Sequence, residues 1–315
     1  MTLSTAEAAP PAAAPQRPGE KPFTAGDFGL YGVTLFVWGT SWYAIKLQLG
    51  VVAPEVSLVW RFGLATLLMA LWALVSGVQL RFAADIHARF AAIGVLMFST
   101  NFALFYYAGL YVPSGLLAVI FSTASIGNML FAALVYRDAL SGRMIAGAVL
   151  GFAGVLCLFL PEILGTVFDG KALFALAMGG VAVICFCAGG MVARSLQNAD
   201  VPLVAANLWG MVYGTAWMAV VAALSGDPFI IDTSVSYLGS LLWLAFFSTV
   251  IAFAAYLSLL RRIGPGRAGY ATVMFPVIAL AISTVLEGYQ WTLVGGLGVL
   301  LALSGNLLVL KRPGG

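Results

Sequence analysis

Charge is what this chain has least of. Asp, Glu, Lys and Arg make up 9% of its 315 residues, hydrophobic residues make up 62%, and the mean hydropathy is +1.02. A soluble domain carries about a quarter charged residues, so this surface is not built for water and the chain is an integral membrane protein. The few charges are also restricted in place. All 12 acidic residues fall in tails, loops or helix ends, and the one histidine, His87, falls in the loop before the third apolar run. Proton-driven pumps carry a titratable group within the membrane, so passive, gradient-driven movement of a solute is expected over proton exchange. No cluster of Lys and Arg lies mid-span, which disfavours phosphorylated cargo. Three cysteines, Cys157, Cys185 and Cys187, lack zinc-ligand spacing. With a single loop histidine no nucleophile, base and orienter can be assembled, so no enzyme, metal or cofactor is expected, and the net charge of +3 is no nucleic-acid footprint.

What is present is apolar length. A bilayer core of roughly 30 Å takes about 20 helical residues. Runs of that size lie near 27–46, 54–76, 88–110, 113–135, 143–160, 172–196, 202–224, 236–260, 267–286 and 290–310. Residues 1–26, rich in Ala and Pro and without the apolar core of a signal peptide, read as a disordered cytoplasmic tail. The basic residues test the ten-span reading, because they gather on the cytoplasmic side. Of the 15, 12 fall in alternate segments (Arg17, Lys21, Arg81, Arg89, Arg137, Arg143, Arg194, Arg261, Arg262, Arg267, Lys311, Arg312), against Lys46 and Lys171 in the other connections and Arg61 within a span. Ten crossings with both termini cytoplasmic follow.

The chain also repeats itself. GAVLGFAGVLCLF (147–159) aligns with GVLLALSGNLLVL (298–310) at an offset of 151, matching Gly147 with Gly298 and Gly154 with Gly305. An offset of 148 lays the first two spans on the sixth and seventh, pairing Lys46 with Arg194 and Pro54 with Pro202. Five crossings are an odd number, so the copy at 172–310 runs inverted to that at 27–160. Inverted repeats place a solute site near the midplane between the halves and permit alternating access.

The motifs agree. Trp38-Gly39-Thr40-Ser41-Trp42 followed by Lys46, Trp60-Arg61-Phe62, Tyr111-Val112-Pro113-Ser114-Gly115, and Gly264-Pro265-Gly266 through Phe275-Pro276 to Glu287 resemble the drug/metabolite transporter superfamily, and within it the EamA family. The resemblance spans 27–310. It implies an all-α fold of ten transmembrane helices in two inverted five-helix repeats, a bacterial inner-membrane location, and export of small metabolites, amino acids among them. Two departures stand out: Ser125 replaces the proline expected in the fourth span, and Arg137-Asp138 replaces the Gly-Glu pair expected at its end.

Polar groups are expensive in hydrocarbon and face a cavity or another helix. Those near mid-span give the candidate solute contacts: Trp38, Trp42, Asn101 with Phe105 one turn on, Ser122, Ser125, Thr249, Tyr270 and Thr272. For each Ser and Thr, helix packing is the alternative; for Asn101 it is an interhelical hydrogen bond; for Trp42 it is anchoring at the membrane interface. Gly39, Gly147 and Gly298 are candidate close-approach or hinge positions. Pro276, which frees the carbonyl of Thr272, is a candidate hinge. Arg61 either snorkels outward, pairs with Glu55, or meets a solute carboxylate. The expected cargo is neutral or zwitterionic with apolar bulk, amino acids first and other metabolites or lipophilic drugs second. A non-transporting scaffold or sensor is the alternative class. A monomer or weak homodimer in the bilayer, without nucleic acid, is the expected state.

Overall fold

The computed structural model describes residues 24–163, 170–269 and 271–310; the expected N-terminal tail lies outside them. Ten helical runs follow one another, and among the described residues there is no strand. They are α1 (Ala25–Lys46), α2 (Pro54–Val75), α3 (Ala84–Gly109), α4 (Ser114–Tyr136), α5 (Gly142–Ile163), α6 (Gly170–Gln197), α7 (Leu203–Ser225), α8 (Val235–Leu242 continuing through Trp243–Ile251 and Ala252–Gly269), α9 (Ala271–Leu286) and α10 (Leu293–Leu310). Seven of these runs contain stretches long and apolar enough to cross a membrane, and α9 and α10 add shorter apolar stretches. The protein is a multi-pass membrane protein. After ten crossings both described ends lie on one face, here the terminal face; Lys46 ends α1 on the other, the Lys46 face.

Local sequence sets the helix starts. Thr24 and Asp27 form a reciprocal capping box at the head of α1, which satisfies amides that hydrocarbon would leave bare. Prolines open α2 at Pro54 and immediately precede α4 and α7 at Pro113 and Pro202, positions where a missing N–H costs nothing.

The packing is symmetric under exchange of each helix with the one five places on. Contacts α1–α9, α3–α7 and α3–α6 have as counterparts α6–α4, α8–α2 and α8–α1, while α5–α10, α2–α7 and α4–α9 map onto themselves. Backbone details repeat with it. α3 and α8 each contain a wide, π-type turn, at Leu96–Thr100 and Trp243–Ile251. In each a hydroxyl donates to the carbonyl five residues back, Ser99 to Gly94 at 2.8 Å and Thr249 to Leu244 at 2.9 Å. Those pairs are related by an offset of 150, which the sequence alone did not reveal. α4 ends on Arg137 at φ 57° and α9 runs out to Gly288 at φ 69°, left-handed positions separated by the offset of 151.

Glycine sets the closest approach. A Cβ added at Gly154 would fall on the backbone of Ala302 and Gly298, and one at Gly305 on the backbone of Gly151 and Gly147. α5 and α10 therefore lie backbone to backbone, the association that small residues permit where no hydrophobic force separates helix from lipid.

α4 breaks at Thr123, between Ser114–Ser122 and Ala124–Tyr136. Ser122, Thr123 and Ser125 each turn a hydroxyl onto a carbonyl three residues back, at 2.7, 2.6 and 3.0 Å. Such back-bonding competes with the helix's own ladder, so the break forms at Ser125's level without the proline that α9 carries at Pro276.

Gly154→Leu is expected to destabilise the fold by overpacking, by about 1–3 kcal/mol, read as a lowered thermal midpoint of the purified protein. An exposed change such as Leu293→Ala, at 95% exposure, should leave the midpoint in place.

Candidate functional site

The site is built at the middle of the bundle, where rings from both halves meet. Trp42 of α1 packs on Phe105 of α3 at 5.1 Å between centroids, on Phe121 of α4 at 5.5 Å, and parallel to Phe275 of α9 at 6.4 Å. Phe121 also meets Phe186 of α6 at 4.8 Å. Trp42 is thus buried in this cluster, not anchored at an interface. Phe121, Phe186 and Phe275 were not among the sequence candidates; phenylalanines in apolar runs carry no signal until the helices are assembled around them.

Repeat symmetry makes the cluster informative. The counterparts of Trp42, Phe105, Phe121 and Phe275 at the repeat offsets are Gly190, Ala255, Thr272 and Ala124. Four rings on the Lys46 side of the centre face small residues at the equivalent places on the terminal side. These rings form a roof on the Lys46 side of the bundle centre.

One turn below the roof, toward the terminal face, lie Trp38 and Asn101. The Trp38 indole donates to the carbonyl of Ser248 at 3.3 Å and packs on Tyr256 at 5.0 Å. Asn101 is 1% exposed; its Nδ2 donates to the Ala182 carbonyl at 2.8 Å, while its Oδ1 has no partner. An unanswered acceptor in a buried site is an open valence for a donor on a ligand. Ser122 and Ser125 are engaged with Asn306 of α10, Ser122 accepting from Nδ2 at 3.1 Å and Ser125 donating to Oδ1. Asn306, an amide inside the last apolar run, is the polar residue that sequence reading passed over. Thr249 is occupied by its own helix, as above. Tyr270 lies outside the described residues, as does the side chain of Thr272. Gly39 faces Ile278 and the Phe275 carbonyl of α9, where a Cβ would clash. Pro276 is buried in the adjoining turn of α9. Gly147 and Gly298 lie in the α5–α10 contact. His87, expected in a loop, sits in the first turn of α3 with its ring against Trp209 at 4.6 Å and Nδ1 3.0 Å from the Tyr213 hydroxyl.

Above the roof the bundle is latched. α9 packs on the Ser114–Ser122 part of α4 at the Lys46 face, without comparable contact along Ala124–Tyr136 among the described residues. The Glu287 carboxylate accepts from the Ser114 amide at 3.0 Å and hydroxyl at 2.6 Å and from the Ser283 hydroxyl, and the Ser283 oxygen accepts from the Gly115 amide at 2.7 Å. A carboxylate at a helix N-terminus answers amides and dipole together. Lys46 completes the latch, donating to the Gly109 carbonyl at 2.5 Å and lying within charge range of Glu287. At the terminal face the counterpart of Lys46, Arg194, pairs with Asp138 at 2.7 Å and stacks on Tyr136 at 4.2 Å.

An all-helical bundle of two inverted five-helix repeats is the architecture of a membrane carrier. The sequence pattern of the EamA-like transporter family matches the chain twice, over residues 26–160 and 173–311, and the chain belongs to that family. Similar proteins include the uncharacterized transporter YyaM of Bacillus subtilis (strain 168), 23% identical over 297 residues covering 90% of this chain and 94% of that one. An uncharacterized transporter of Archaeoglobus fulgidus is 22% identical, covering 89% and 97%, and the uncharacterized inner membrane transporter YedA of Escherichia coli (strain K12) is 24% identical, covering 91% and 93%. A solved crystal structure of a protein shares the fold, with a TM-score of 0.65 at 17% identity over 90% of this chain and 96% of its own.

Removing the Glu287 charge should loosen the closed face. With the native cysteines replaced, Leu116→Cys, at a fully buried position of α4, is expected to resist a hydrophilic maleimide. Adding Glu287→Gln should raise its labelling rate about tenfold, the scale of one charge-assisted hydrogen bond. Equal rates would show that the carboxylate does not hold the face shut.

Proposed function

We propose that this protein carries small neutral or zwitterionic metabolites, first of all amino acids with apolar or aromatic side chains, out of a bacterial cell across the inner membrane. The terminal face is cytoplasmic in this reading, as the distribution of basic residues favours, so the site is loaded from inside and the latched Lys46 face is the exit. The observation that carries it is the pairing of the aromatic roof with the free Oδ1 of Asn101 one turn below. An apolar side chain would pack under Trp42, Phe105 and Phe121 while its ammonium donates to Asn101, a combination that rejects highly charged cargo. The rings supply contact area with little side-chain entropy to lose.

Movement is facilitative in this proposal. Around the roof and Asn101 no titratable carboxylate or histidine is placed among the described residues, while Asp27, Glu55 and Glu287 sit at helix ends or just beyond, engaged with Thr24, Tyr107 and Ser114. One chain supplies the whole path, which fits a monomer working by exchange of the two repeats' conformations, a carrier and not an enzyme.

The test is uptake of radiolabelled Phe, Met and Thr into proteoliposomes, with and without an imposed pH gradient. Saturable uptake of Phe and Met indifferent to the gradient is expected, and Asn101→Leu should weaken it about tenfold, the scale of a hydrogen bond to a charged group. Folded protein that gives no uptake above empty liposomes would refute the amino-acid reading, and uptake that follows the pH gradient would refute the facilitative one.

A further inference from the structure

A second polar site lies away from the roof, between α2 and α3. Arg61, the eighth residue of α2, is 3% exposed. It has not snorkelled to a surface. Nor is it paired with Glu55, whose Oε1 accepts from Tyr107 and whose Oε2 has no partner. No carboxylate lies within ion-pair distance of Arg61 among the described residues. Its guanidinium carbon stands 4.5 Å from the Phe102 ring and 5.0 Å from the Phe62 ring. Those rings ease the burial of the charge, but they bind its face and leave the donor edge unused.

The edge is incomplete. Arg61 lies against the Tyr106 hydroxyl, which in turn donates to Oε1 of Gln48. Arg61 Nε and Nη1, and Gln48 Nε2 on the far side of that hydroxyl, have no acceptor, and Gln48 is 1% exposed. Three buried donors beside one positive charge form a site of fixed chemistry. An unpaired buried guanidinium costs several kcal/mol, and an anion answers both the charge and the open donors. One cation balances one negative charge, so a monoanion fits.

We propose that Arg61 and Gln48, joined through the Tyr106 hydroxyl, form a binding site for one small monoanion, either a carboxylate or chloride. The site is independent of the cargo assigned above. It gives the protein a means to hold a carboxylate apart from the ring cluster that would hold a side chain.

The test is thermal unfolding of the purified full-length protein in detergent, in sodium acetate, sodium chloride or sodium methanesulfonate at matched ionic strength. Acetate is expected to raise the midpoint by about 3 °C or more over methanesulfonate, and Arg61→Gln should abolish the rise. A rise in acetate alone marks a carboxylate site, and a rise in chloride as well marks one that a free halide also fills. Should Arg61→Gln fail to fold, Gln48→Leu, which keeps the cation and removes one donor, is expected to cut the rise. Equal midpoints in the three salts, or a rise unchanged in the variant or variants that fold, would overturn the proposal. Failure of amino-acid uptake with the anion effect intact would count against the cargo alone.

Discussion

A polar group inside a bilayer has no water to fall back on, and the whole structure follows from that constraint. It forces the backbone into helices, and it sends the hydroxyls of Thr34, Ser41, Thr66 and Ser258 onto carbonyls of the preceding turn. It also makes exceptions meaningful. Most mid-membrane hydroxyls are answered within their own helix, and the Oδ1 of Asn101 and the open edge of Arg61 are among the buried polar atoms left without a partner. The same constraint explains the helix ends, where the Glu287 and Asp27 carboxylates accept from the Ser114 and Thr24 amides, which would otherwise face the membrane interface unpaired.

Much of this architecture could be read from the chain, because hydropathy and charge report length and direction. Ten runs, the alternation of basic residues, and the offsets of 148 and 151 all describe positions along an axis. Rotation about that axis is harder to read. Trp42 and Phe105 lie on different helices, and nothing in either segment says that they touch. The symmetry of α3 and α8 went unseen for a related reason: their shared feature is a wide turn sustained by Ser99 and Thr249, two residues that differ in sequence while doing the same thing to the backbone. Thr249 therefore looked like a solute contact and is placed as a backbone partner. Asn306 escaped notice because a lone amide among leucines resembles a packing residue until Ser122 and Ser125 are placed beside it.

The two departures from the family pattern have different outcomes. Ser125 stands where a proline was expected, yet the helix still breaks, since a cluster of hydroxyls competes for the carbonyls of Val119, Ile120 and Ser122, which flank the Phe121 carbonyl that a proline would free. Arg137 stands where the second repeat has Gly288, and it accepts the same left-handed geometry despite its Cβ. In both places the backbone shape persists while the chemistry producing it has changed.

Gly39 and its surroundings carry a further lesson about the two halves. Gly39 on α1 faces Ile278 on α9; at the equivalent crossing Cys187 on α6 faces Gly127 on α4. Each crossing holds one glycine and one larger residue, but the glycine has moved to the opposite helix. Two copies of the first half would set glycine against glycine at both crossings and leave voids, and two copies of the second would force isoleucine against cysteine. The repeats have become lock and key to one another, so neither can be doubled to rebuild the whole.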